Sequence, residues 1–314
     1  MTRPIVRWSL TELPAVLAAL GVERPFLVAS PRWSLDVATV GRSTEVPAPS
    51  VEVAPEADGL LAVGGGSAID TAKNASARTG LPLVSVPTTY SGAEWTPGYG
   101  IRSRDRRMLG GGGGARLAGI VYDVELTLDL PRELTVGTAM NALAHCAEAL
   151  YVKGRSDAGD RRALEGATLI STWLPKVVRR PGDRGARTML LRGAAAGGEA
   201  LALAGLGLAH AMAQALGGAY GLPHGAMNAL CLAPGLRFAR GQAGGAVARF
   251  DDALADVTVE DLARLGGFRR LRDFNVPEAD LPQLAAAAAA RAGNANMPRP
   301  ATADEVEGLL RTIY

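Results

Sequence analysis

Imidazole side chains are scarce in this chain and are confined to two segments. The 314-residue sequence has three His residues, at positions 145, 210 and 224. Asn141 and Glu148 share a predicted helix face with His145, whereas His210 lies in an apolar helical segment and His224 follows a proline. A helix and a helix–turn pair can bring three imidazoles together, which predicts a possible Zn²⁺ or Fe²⁺ site. The alternative is that each is an ordinary core histidine.

A glycine turn in the first half of the chain could bind a phosphate group. It is made of four consecutive residues, Gly64, Gly65, Gly66 and Ser67. A strand-like run precedes this turn, and a helical segment with Asp70 and Lys73 follows it. Glycines let the backbone approach a pyrophosphate, and a helix N-terminus offers N–H donors and a positive dipole end. The spacing is not GxGxxG, so a purely structural turn is an equal alternative.

Short apolar runs separated by turns fill the first 130 residues. We predict a helix over 10–20 and buried strands over 25–30, 59–63, 83–87 and 120–123. The alternation of strand, turn and helix is typical of a parallel α/β sheet. Beyond residue 130, helical spacing dominates, with predicted helices near 133–152, 158–179, 186–204, 207–220, 225–241, 248–254, 258–265, 279–292 and 302–312. We therefore expect an α/β domain over residues 1–130 and an all-α domain over 131–314.

Two segments of the first domain depart from the regular pattern. Residues 42–56 contain three prolines and no helical period, so no helix is expected between the first two predicted strands. Five consecutive glycines at 110–114 predict a flexible loop, either a surface connection or a mobile flap near a cofactor.

The composition is that of an ordinary globular enzyme. Hydrophobic residues make up 48%, charged residues 20%, and the net charge is +2, which gives no reason to expect nucleic acid. Cys146 and Cys231 lie in apolar helical patterns and are predicted to be buried thiols. The apolar stretch 194–222 is interrupted by polar residues, so a buried helical hairpin is expected instead of a membrane span. We expect a cytoplasmic enzyme with a small-molecule substrate.

Several motifs resemble those of the iron-containing (group III) alcohol dehydrogenases. Residues 64–73 resemble the first cofactor segment of that family, and 87–97 resemble the second. The tyrosine in the second segment and its Thr-Pro end are closest to the maleylacetate reductase branch. Segments 141–145, 217–224 and 297–302 are similar to the same branch. The resemblance covers nearly the whole chain. Members of the family usually have a helix between the first two strands, where residues 42–56 predict none, so the nucleotide-binding domain is expected to be trimmed on its adenosine side.

The resemblance implies a dehydroquinate-synthase-like fold, an active site in the cleft between the domains, and a homodimer. It also implies NADH or NADPH as cofactor. Arg32, just after the first predicted strand, could contact a 2′-phosphate and favour NADPH, with a surface charge as an equal alternative. Cofactor contacts would come from the glycine turn, the helix after it, and two threonines after the third predicted strand, that is, from Gly64, Gly65, Gly66, Ser67, Asp70, Lys73, Thr88 and Thr89.

The sequence departs from the metal-dependent members of the family in its ligand set. Those members use one Asp and three His, and the matching positions are Asn141, His145, His210 and His224. An amide oxygen is a poorer ligand for Fe²⁺ or Zn²⁺ than a carboxylate. We therefore predict a metal-free site in which the imidazoles bind or protonate an oxyanion, with a metal on the three His as the alternative. Gln214 stands where many members carry another His, and it cannot titrate.

Two classes of function remain open from the sequence. The first is an NAD(P)H-dependent reductase of a carbonyl or conjugated enone, with Asn141, His145, His210 and His224 forming the catalytic site. A dicarboxylate substrate would need a cation, and Arg102 and Lys153 are candidates, or else solvated surface charges. The second is a repurposed member with isomerase, dehydratase or cyclase chemistry in the same cleft. A non-catalytic binding protein is a third option.

Overall fold

The computed structural model describes residues 3–314 of the chain. These residues form two compact units. The first unit comprises the residues up to 89 together with 93–129, and the second comprises 90–92 and 130–314. The three residues 90–92 therefore belong with the second unit, although both of their neighbours along the chain belong with the first.

A six-stranded parallel sheet forms the centre of the first unit. Its strands lie in the order β1-β8-β5-β4-β2-β3, and every neighbouring pair is parallel. The strands are β1 (Ile5–Arg7), β2 (Pro25–Ala29), β3 (Gly41–Ser43), β4 (Gly59–Gly64), β5 (Pro82–Pro87) and β8 (Arg116–Val121). Helices α1 (Leu13–Ala19) and α2 (Gly66–Thr79) belong to the same unit, and a short 3-10 turn, Leu10–Glu12, precedes α1.

Both faces of this sheet are buried, which explains the uninterrupted apolar runs of its central strands. In β4, Leu61 and Val63 join a core cluster with α1, whereas Leu60 and Ala62 join a second cluster with α2. All four side chains are fully buried. The four predicted strands correspond to the central strands β2, β4, β5 and β8, and the edge strands β1 and β3 were not predicted.

The glycine run at 110–114 was predicted to be a loop, and that expectation is wrong for its first part. Gly110–Gly112 belong to strand β7 (Met108–Gly112), which pairs antiparallel with β6 (Tyr99–Arg102). A Cβ atom at Gly112 would lie 2.7 Å from the Tyr99 hydroxyl oxygen. Glycines can form the hydrogen bonds of a β-ladder as other residues do. This glycine run therefore forms a strand, because the ring of Tyr99 on the partner strand β6 occupies the space that a side chain of Gly112 would fill.

The connection between β2 and β4 contains no helix. Throughout residues 30–58, all of which the structure describes, the only regular element is the three-residue strand β3. Side chains of α2 hold this connection: Asn74 Nδ2 donates to Pro49 O at 2.9 Å, and Thr71 Oγ1 accepts from Ala48 N at 3.3 Å. The prolines predicted that this connection would contain no helix, and that prediction is confirmed.

The second unit is helical. Its helices are α3 (Arg132–Ala149), α4 (Asp157–Arg179), α5 (Arg184–Ala204), α6 (Leu208–Tyr220), α7 (His224–Leu254), α8 (Val259–Arg264), α9 (Leu281–Ala289), α10 (Ala292–Ala295) and α11 (Ala303–Arg311). Helix α7 is broken at Ala243, whose φ and ψ of −144° and 45° are non-helical, and this matches the two shorter helices predicted there. A parallel α/β unit and an all-helical unit confirm the predicted fold class.

Helix α3 lies at the centre of the helical unit and packs against α4, α5 and α7. Its residues from Asn141 to Leu150 are all buried. Cys146 on α3 and Cys231 on α7 are buried free thiols, as predicted, and burial raises the pKa of both. No single helix within residues 3–314 is both long and apolar enough to cross a membrane, and only α5 and α6 taken together, bent by 102°, meet that criterion.

Candidate active site

The glycine turn lies between β4 and α2. Gly64 has a φ of +149°, which an L side chain rarely adopts, and a Cβ atom at Gly65 would lie 2.9 Å from Thr89 Cγ2. Thr88 N donates to Gly64 O at 3.1 Å, so the two predicted cofactor segments are in contact. Gly65 is the N-cap of α2, and no side chain caps this helix. The first turn of α2 therefore has the backbone N–H groups and the positive dipole end that can bind a pyrophosphate.

Asp70 and Lys73, on α2, form an ion pair in which Lys73 is buried and Asp70 is half-buried. Lys73 Nζ lies 2.8 Å from Asp70 Oδ1 and also donates to Ala93 O at 2.8 Å and to Gly98 O at 2.6 Å. Gly100 N donates to Asp70 Oδ2 at 3.2 Å. An ammonium group has three hydrogens, and these contacts use all of them. The pair thus ties α2 to the segment that leads into β6, a role the sequence did not predict, and direct cofactor contact by either residue stays a prediction.

The three imidazoles converge in the helical unit. His145 lies on α3, His210 on α6, and His224 is the first residue of α7. The rings of His145 and His210 are stacked with centroids 4.6 Å apart, and the rings of His210 and His224 are 5.9 Å apart. The structure thus brings together the three His residues that were picked out from their spacing in the sequence.

A fully buried carboxylate, Glu148, fixes His210. Glu148 Oε2 accepts from His210 Nδ1 at 2.7 Å and from Gly207 N at 2.8 Å, and Oε1 accepts from His210 N at 3.0 Å. Two of these donors are backbone N–H groups at the start of α6. The helix terminus and the three hydrogen bonds offset the cost of burying a negative charge. Glu148 thereby holds the His210 ring in one orientation.

Two asparagines contact the Nε2 atoms of all three imidazoles. Asn228 Nδ2 donates to Asn141 Oδ1 at 2.7 Å and to His224 Nε2 at 3.0 Å. Asn141 Oδ1 also lies 3.3 Å from His210 Nε2, and Asn141 Nδ2 lies 3.5 Å from His145 Nε2. Asn228 was not predicted. The available signal was its spacing of four from His224, which mirrors the spacing between Asn141 and His145.

The orientation of the Asn141 amide is set by its neighbours. Its Nδ2 donates to Ser91 O at 2.7 Å, so its Oδ1 must be the atom that accepts from Asn228. Both ring nitrogens of His210 then face acceptors, Glu148 on one side and Asn141 on the other. An N–H group at either ring nitrogen of His210 therefore has an acceptor in place.

This donor set does not fit Fe²⁺ or Zn²⁺. Metal binding needs the lone pairs of the imidazole nitrogens, whereas here His224 Nε2 accepts from the Asn228 amide and His210 Nε2 faces the oxygen of Asn141. The nearby carboxylate of Glu148 is committed to His210 and the start of α6. In the part of the chain that the structure describes, residues 3–314, no three His, Cys, Asp or Glu side chains are grouped as a metal site.

Burial and neighbouring charge keep His145 neutral. Desolvation, together with the nearby His210 and His224, holds the pKa of His145 well below its usual value. Its Nδ1 atom is buried without a hydrogen-bond partner among the described residues. Gly92 lies against it with a φ of +72°, and a Cβ atom there would come within 3.1 Å of Gly198 Cα and 3.4 Å of His145 Nδ1. Only glycine fits between this ring and α5.

A buried arginine anchors the segment 90–92 within the helical unit. Arg187 Nη1 donates to the Tyr90 hydroxyl at 3.1 Å, and its Nε donates to Pro181 O at 2.6 Å. Tyr90 N in turn donates to Thr138 Oγ1 at 3.3 Å. Both Tyr90 and Arg187 are fully buried. These contacts hold Ser91 and Gly92 against Asn141 and His145, and Arg187 was not among the predicted site residues.

The cations proposed as ligand contacts have other partners. Arg32 stacks on the Trp33 ring at 4.8 Å and lies 3.9 Å from an Asp129 carboxylate oxygen. Arg102 belongs to the first unit, where burial lowers its pKa and the charge of Asp70 raises it. Lys153 Nζ donates to Ala295 O at 2.8 Å. The sequence prediction that any of these contacts a ligand stays a prediction.

Comparison with known proteins shows the same relationship in both units. Residues 135–314 match the Fe-containing alcohol dehydrogenase family, C-terminal, and residues 49–111 match iron-containing alcohol dehydrogenase. The chain is 32% identical to a maleylacetate reductase of Burkholderia cepacia, over 98% of this chain and 93% of that one. It is 35% identical to maleylacetate reductase 1 of Rhodococcus opacus, over 82% of this chain and 73% of that one.

Solved structures agree with the sequence comparison. The maleylacetate reductase from Rhizobium sp. strain MTP-10005 superposes with a TM-score of 0.89 at 27% identity, covering 100% of this chain and 97% of that one. The two family matches and the relative that aligns along almost the full length of the chain all indicate the same family. The chain belongs to the iron-containing alcohol dehydrogenase family and has its dehydroquinate-synthase-like fold.

Proposed function

We propose that this chain is an NAD(P)H-dependent, metal-independent reductase of maleylacetate or of a similar unsaturated keto diacid. The observation that carries the proposal is the amide pair Asn141–Asn228, which contacts the Nε2 atoms of all three imidazoles. Relatives that are 32% and 35% identical to the chain are maleylacetate reductases. In the first unit, the open start of α2 supports nucleotide binding by Gly64, Gly65, Gly66, Ser67, Thr88 and Thr89.

The proposed reaction needs hydrogen-bond donors that stabilise an oxyanion. A bound reduced nicotinamide supplies a hydride to the substrate. As the hydride adds to a conjugated enone, negative charge develops on the ketone oxygen, and in a metal-free site hydrogen-bond donors must stabilise it. His210, held by Glu148, can donate from Nε2, and Asn228 Nδ2 lies beside His224. Removing one such donor typically lowers kcat by about 10²–10³.

Each of the two units has its own role in the proposed reaction. We assign cofactor binding to the α/β unit and catalysis to the helical unit, with His145 as a neutral partner in the imidazole cluster. Asp70 and Lys73 shape the cofactor region by tying α2 to the segment before β6. Either NADH or NADPH suits this proposal, since Arg32 is engaged with Trp33 and Asp129.

The relatives favour reduction over the other chemistries considered. Maleylacetate reductases are among both the relatives and the solved structures, which supports a reductase and gives no support to an isomerase, dehydratase or cyclase. The family relationship further supports a homodimer that acts on a small molecule. A cytoplasmic location, without a nucleic-acid or membrane partner, completes the proposal, and the two free thiols are consistent with it.

Calorimetric titration of the purified, metal-analysed protein with NADH and NADPH tests this proposal, followed by turnover of maleylacetate monitored by nicotinamide absorbance. We expect micromolar binding of one cofactor, turnover, and iron and zinc far below one ion per chain. Binding of neither cofactor would overturn the reductase assignment. Loss of activity on chelation, with recovery on adding Fe²⁺ or Zn²⁺, would overturn the metal-independent mechanism.

A further inference from the structure

The tyrosine of the second cofactor segment, Tyr90, belongs with the helical unit and is fully buried there. Its hydroxyl accepts a hydrogen bond from Arg187 Nη1 at 3.1 Å, and its backbone N–H group donates to Thr138 Oγ1 on α3 at 3.3 Å. Tyr90 is therefore held both by its side chain and by its main chain. Neither contact belongs to the proposed oxyanion donors or to the proposed cofactor contacts.

Arg187, the donor to the Tyr90 hydroxyl, is itself held in place. It is fully buried, and its Nε donates to Pro181 O at 2.6 Å. A hydrogen bond from a charged donor is stronger than one between neutral groups, and more so in a buried environment. Phenylalanine at position 90 would fill the same space but would leave a buried guanidinium hydrogen without its acceptor, at a cost greater than that of a typical hydrogen bond. The hydroxyl of Tyr90 therefore stabilises the present position of the segment 90–92.

The next residue in the chain, Ser91, supplies the main-chain oxygen that orients Asn141. Asn141 Nδ2 donates to Ser91 O at 2.7 Å, and Asn141 Oδ1 accepts from Asn228 Nδ2 at 2.7 Å. The Asn228 amide is fixed in turn, because its Nδ2 also donates to the backbone oxygen of His224 at 3.2 Å. If the Asn141 amide turned over, two oxygens would face each other at Ser91 and two NH₂ groups would face each other at Asn228. Ser91 O thus decides which amide atom of Asn141 faces His210.

A displaced Ser91 would change the imidazole cluster without removing any of its side chains. Asn141 Oδ1 lies 3.3 Å from His210 Nε2, and Asn141 Nδ2 lies 3.5 Å from His145 Nε2. A turned amide would exchange acceptor and donor at these two contacts. Hydrogen bonds weaken steeply with distance and angle, so a small shift of Ser91 O is enough to weaken the contact that fixes the amide.

We propose that Tyr90 is a positioning residue, which keeps Ser91 O against Asn141 and thereby sets which amide atoms face the imidazoles. This inference rests on the proposed function, because the arrangement of the imidazoles affects the rate only if they stabilise the developing oxyanion. Tyr90 acts through Ser91 and Asn141 and takes no part in the chemical step itself. A residue of the second cofactor segment thereby serves the helical unit.

The first test measures solvent exchange of side-chain amide protons by NMR, on the full-length protein labelled with ¹⁵N-asparagine. The chain has six Asn residues, so the Asn141 signal can be assigned by its loss in Asn141→Asp. For Tyr90→Phe we expect the Asn141 amide protons to exchange roughly 10- to 100-fold faster, the range for a hydrogen bond to a charged group. Asn294 is the internal reference and should keep its rate, since it is buried and its Nδ2 donates to Ala289 O and Ala301 O.

Tyr151→Phe is the matched control. Tyr151 is a buried tyrosine of the same unit, and within residues 3–314 its hydroxyl has no hydrogen-bond partner, so its loss should leave Asn141 exchange unchanged. A second variant, Thr138→Val, keeps the test decisive if Tyr90→Phe folds poorly. It removes the acceptor of the Tyr90 N–H group with little change of shape, and it should speed Asn141 exchange by a smaller factor, because this hydrogen bond joins neutral groups.

Turnover supplies a readout that a merely structural role of Tyr90 would not change. In Tyr90→Phe we expect kcat for maleylacetate to fall about tenfold, the lower end of the same range, with the calorimetric Kd of NADH or NADPH unchanged. Asn141 exchange that stays at the wild-type rate in both Tyr90→Phe and Thr138→Val would overturn the inference, and so would faster exchange without a fall in kcat. The exchange rates need no turnover, so a wild type that does not reduce maleylacetate, while its Asn141 exchange responds to Tyr90→Phe, rejects only the reductase assignment.

Discussion

Helices α2 and α6 both begin at a glycine N-cap, but their first turns differ in what the protein places there. At α6 the carboxylate of Glu148 accepts hydrogen bonds from Gly207 N and His210 N. At α2, Gly65 leaves the first turn without a side-chain cap. Both termini present N–H donors and a positive dipole end. One is filled by the protein's own carboxylate and orders an imidazole, while the other is where we propose that the pyrophosphate of a cofactor binds.

The surroundings of α2 and α6 also differ in their charged groups. Lys73, a buried residue of α2, has its ammonium hydrogens directed to Asp70 and two backbone oxygens. The imidazole cluster beside α6 is instead surrounded by neutral amides and one carboxylate. A buried cation near a binding motif, such as Lys73 near the glycine turn, can therefore have a structural role. In the imidazole cluster, by contrast, neutral amide side chains orient the histidines.

The largest effect is expected from removing the carboxylate that accepts hydrogen bonds at the start of α6. Glu148→Ala removes the acceptor of three buried donors, so the free energy of unfolding should fall by about 3–5 kcal/mol, as for a broken buried pair. Urea denaturation monitored by circular dichroism measures this. Glu260→Ala, at an exposed position of α8, is the control and should change little. A loss below about 1 kcal/mol for Glu148→Ala would contradict the role of Glu148 as the anion of α6.

A smaller loss is expected from restoring a carboxylate among the imidazoles. Asn141→Asp sets a carboxylate oxygen in place of Nδ2, against Ser91 O at the present 2.7 Å. Replacing a donor by a negative charge at this contact should destabilise the metal-free protein by about 2 kcal/mol. We also expect the variant to gain affinity for Zn²⁺, detectable as a rise in melting temperature on metal addition that the wild type lacks. A variant as stable as wild type without metal would argue against the amide network.

The open start of α2 can be tested by adding a single methyl group. In Gly65→Ala the new Cβ would meet Thr89 Cγ2 at 2.9 Å, so the turn or Thr89 must shift. We expect about tenfold weaker NADH or NADPH binding by calorimetry, equivalent to about 1.4 kcal/mol. Gly308→Ala in α11, where a Cβ meets nothing within 4 Å, is the matched control. Equal cofactor affinity in both variants would remove the turn from the binding site.

The smallest effect concerns a buried carboxyl in the first unit. Burial raises the pKa of Glu94, while the Tyr122 hydroxyl and Lys73 oppose the rise. Because the folded pKa lies above the unfolded one, the folded state binds the proton more tightly, and this contribution to stability is full below pH about 4.5 and is lost as pH rises through the folded pKa. Glu94→Gln should therefore stabilise the protein at neutral pH by about 1 kcal/mol and have little effect at low pH. Melting temperatures at both pH values check this, and a destabilised variant at neutral pH would contradict it.

Local patterns predicted the central elements well, because those elements bury both faces. The runs that became β2, β4, β5 and β8 are apolar throughout, whereas β1 and β3 are three-residue edge strands with little side-chain signal. Strand β7 was hidden because glycine composition indicates flexibility and says nothing of a partner such as Tyr99.

The candidate site was predictable only where its residues are close in sequence. The spacing of Asn141 and His145 on one helix was visible, and the three His were grouped by their scarcity. The contacts that organise them join residues far apart: Glu148 and His210 are separated by 62 positions, and Asn141 and Asn228 by 87. No periodicity connects such positions, so Asn228 and Arg187 emerged only from the packing of the helices.

The measurement that tests the central claim most directly is maleylacetate reduction by protein treated with a strong chelator, with the metal content determined on the same sample. The account predicts unchanged NADH- or NADPH-dependent turnover when iron and zinc are far below one ion per chain. Activity that disappears on chelation and returns in proportion to added Fe²⁺ or Zn²⁺ would contradict it.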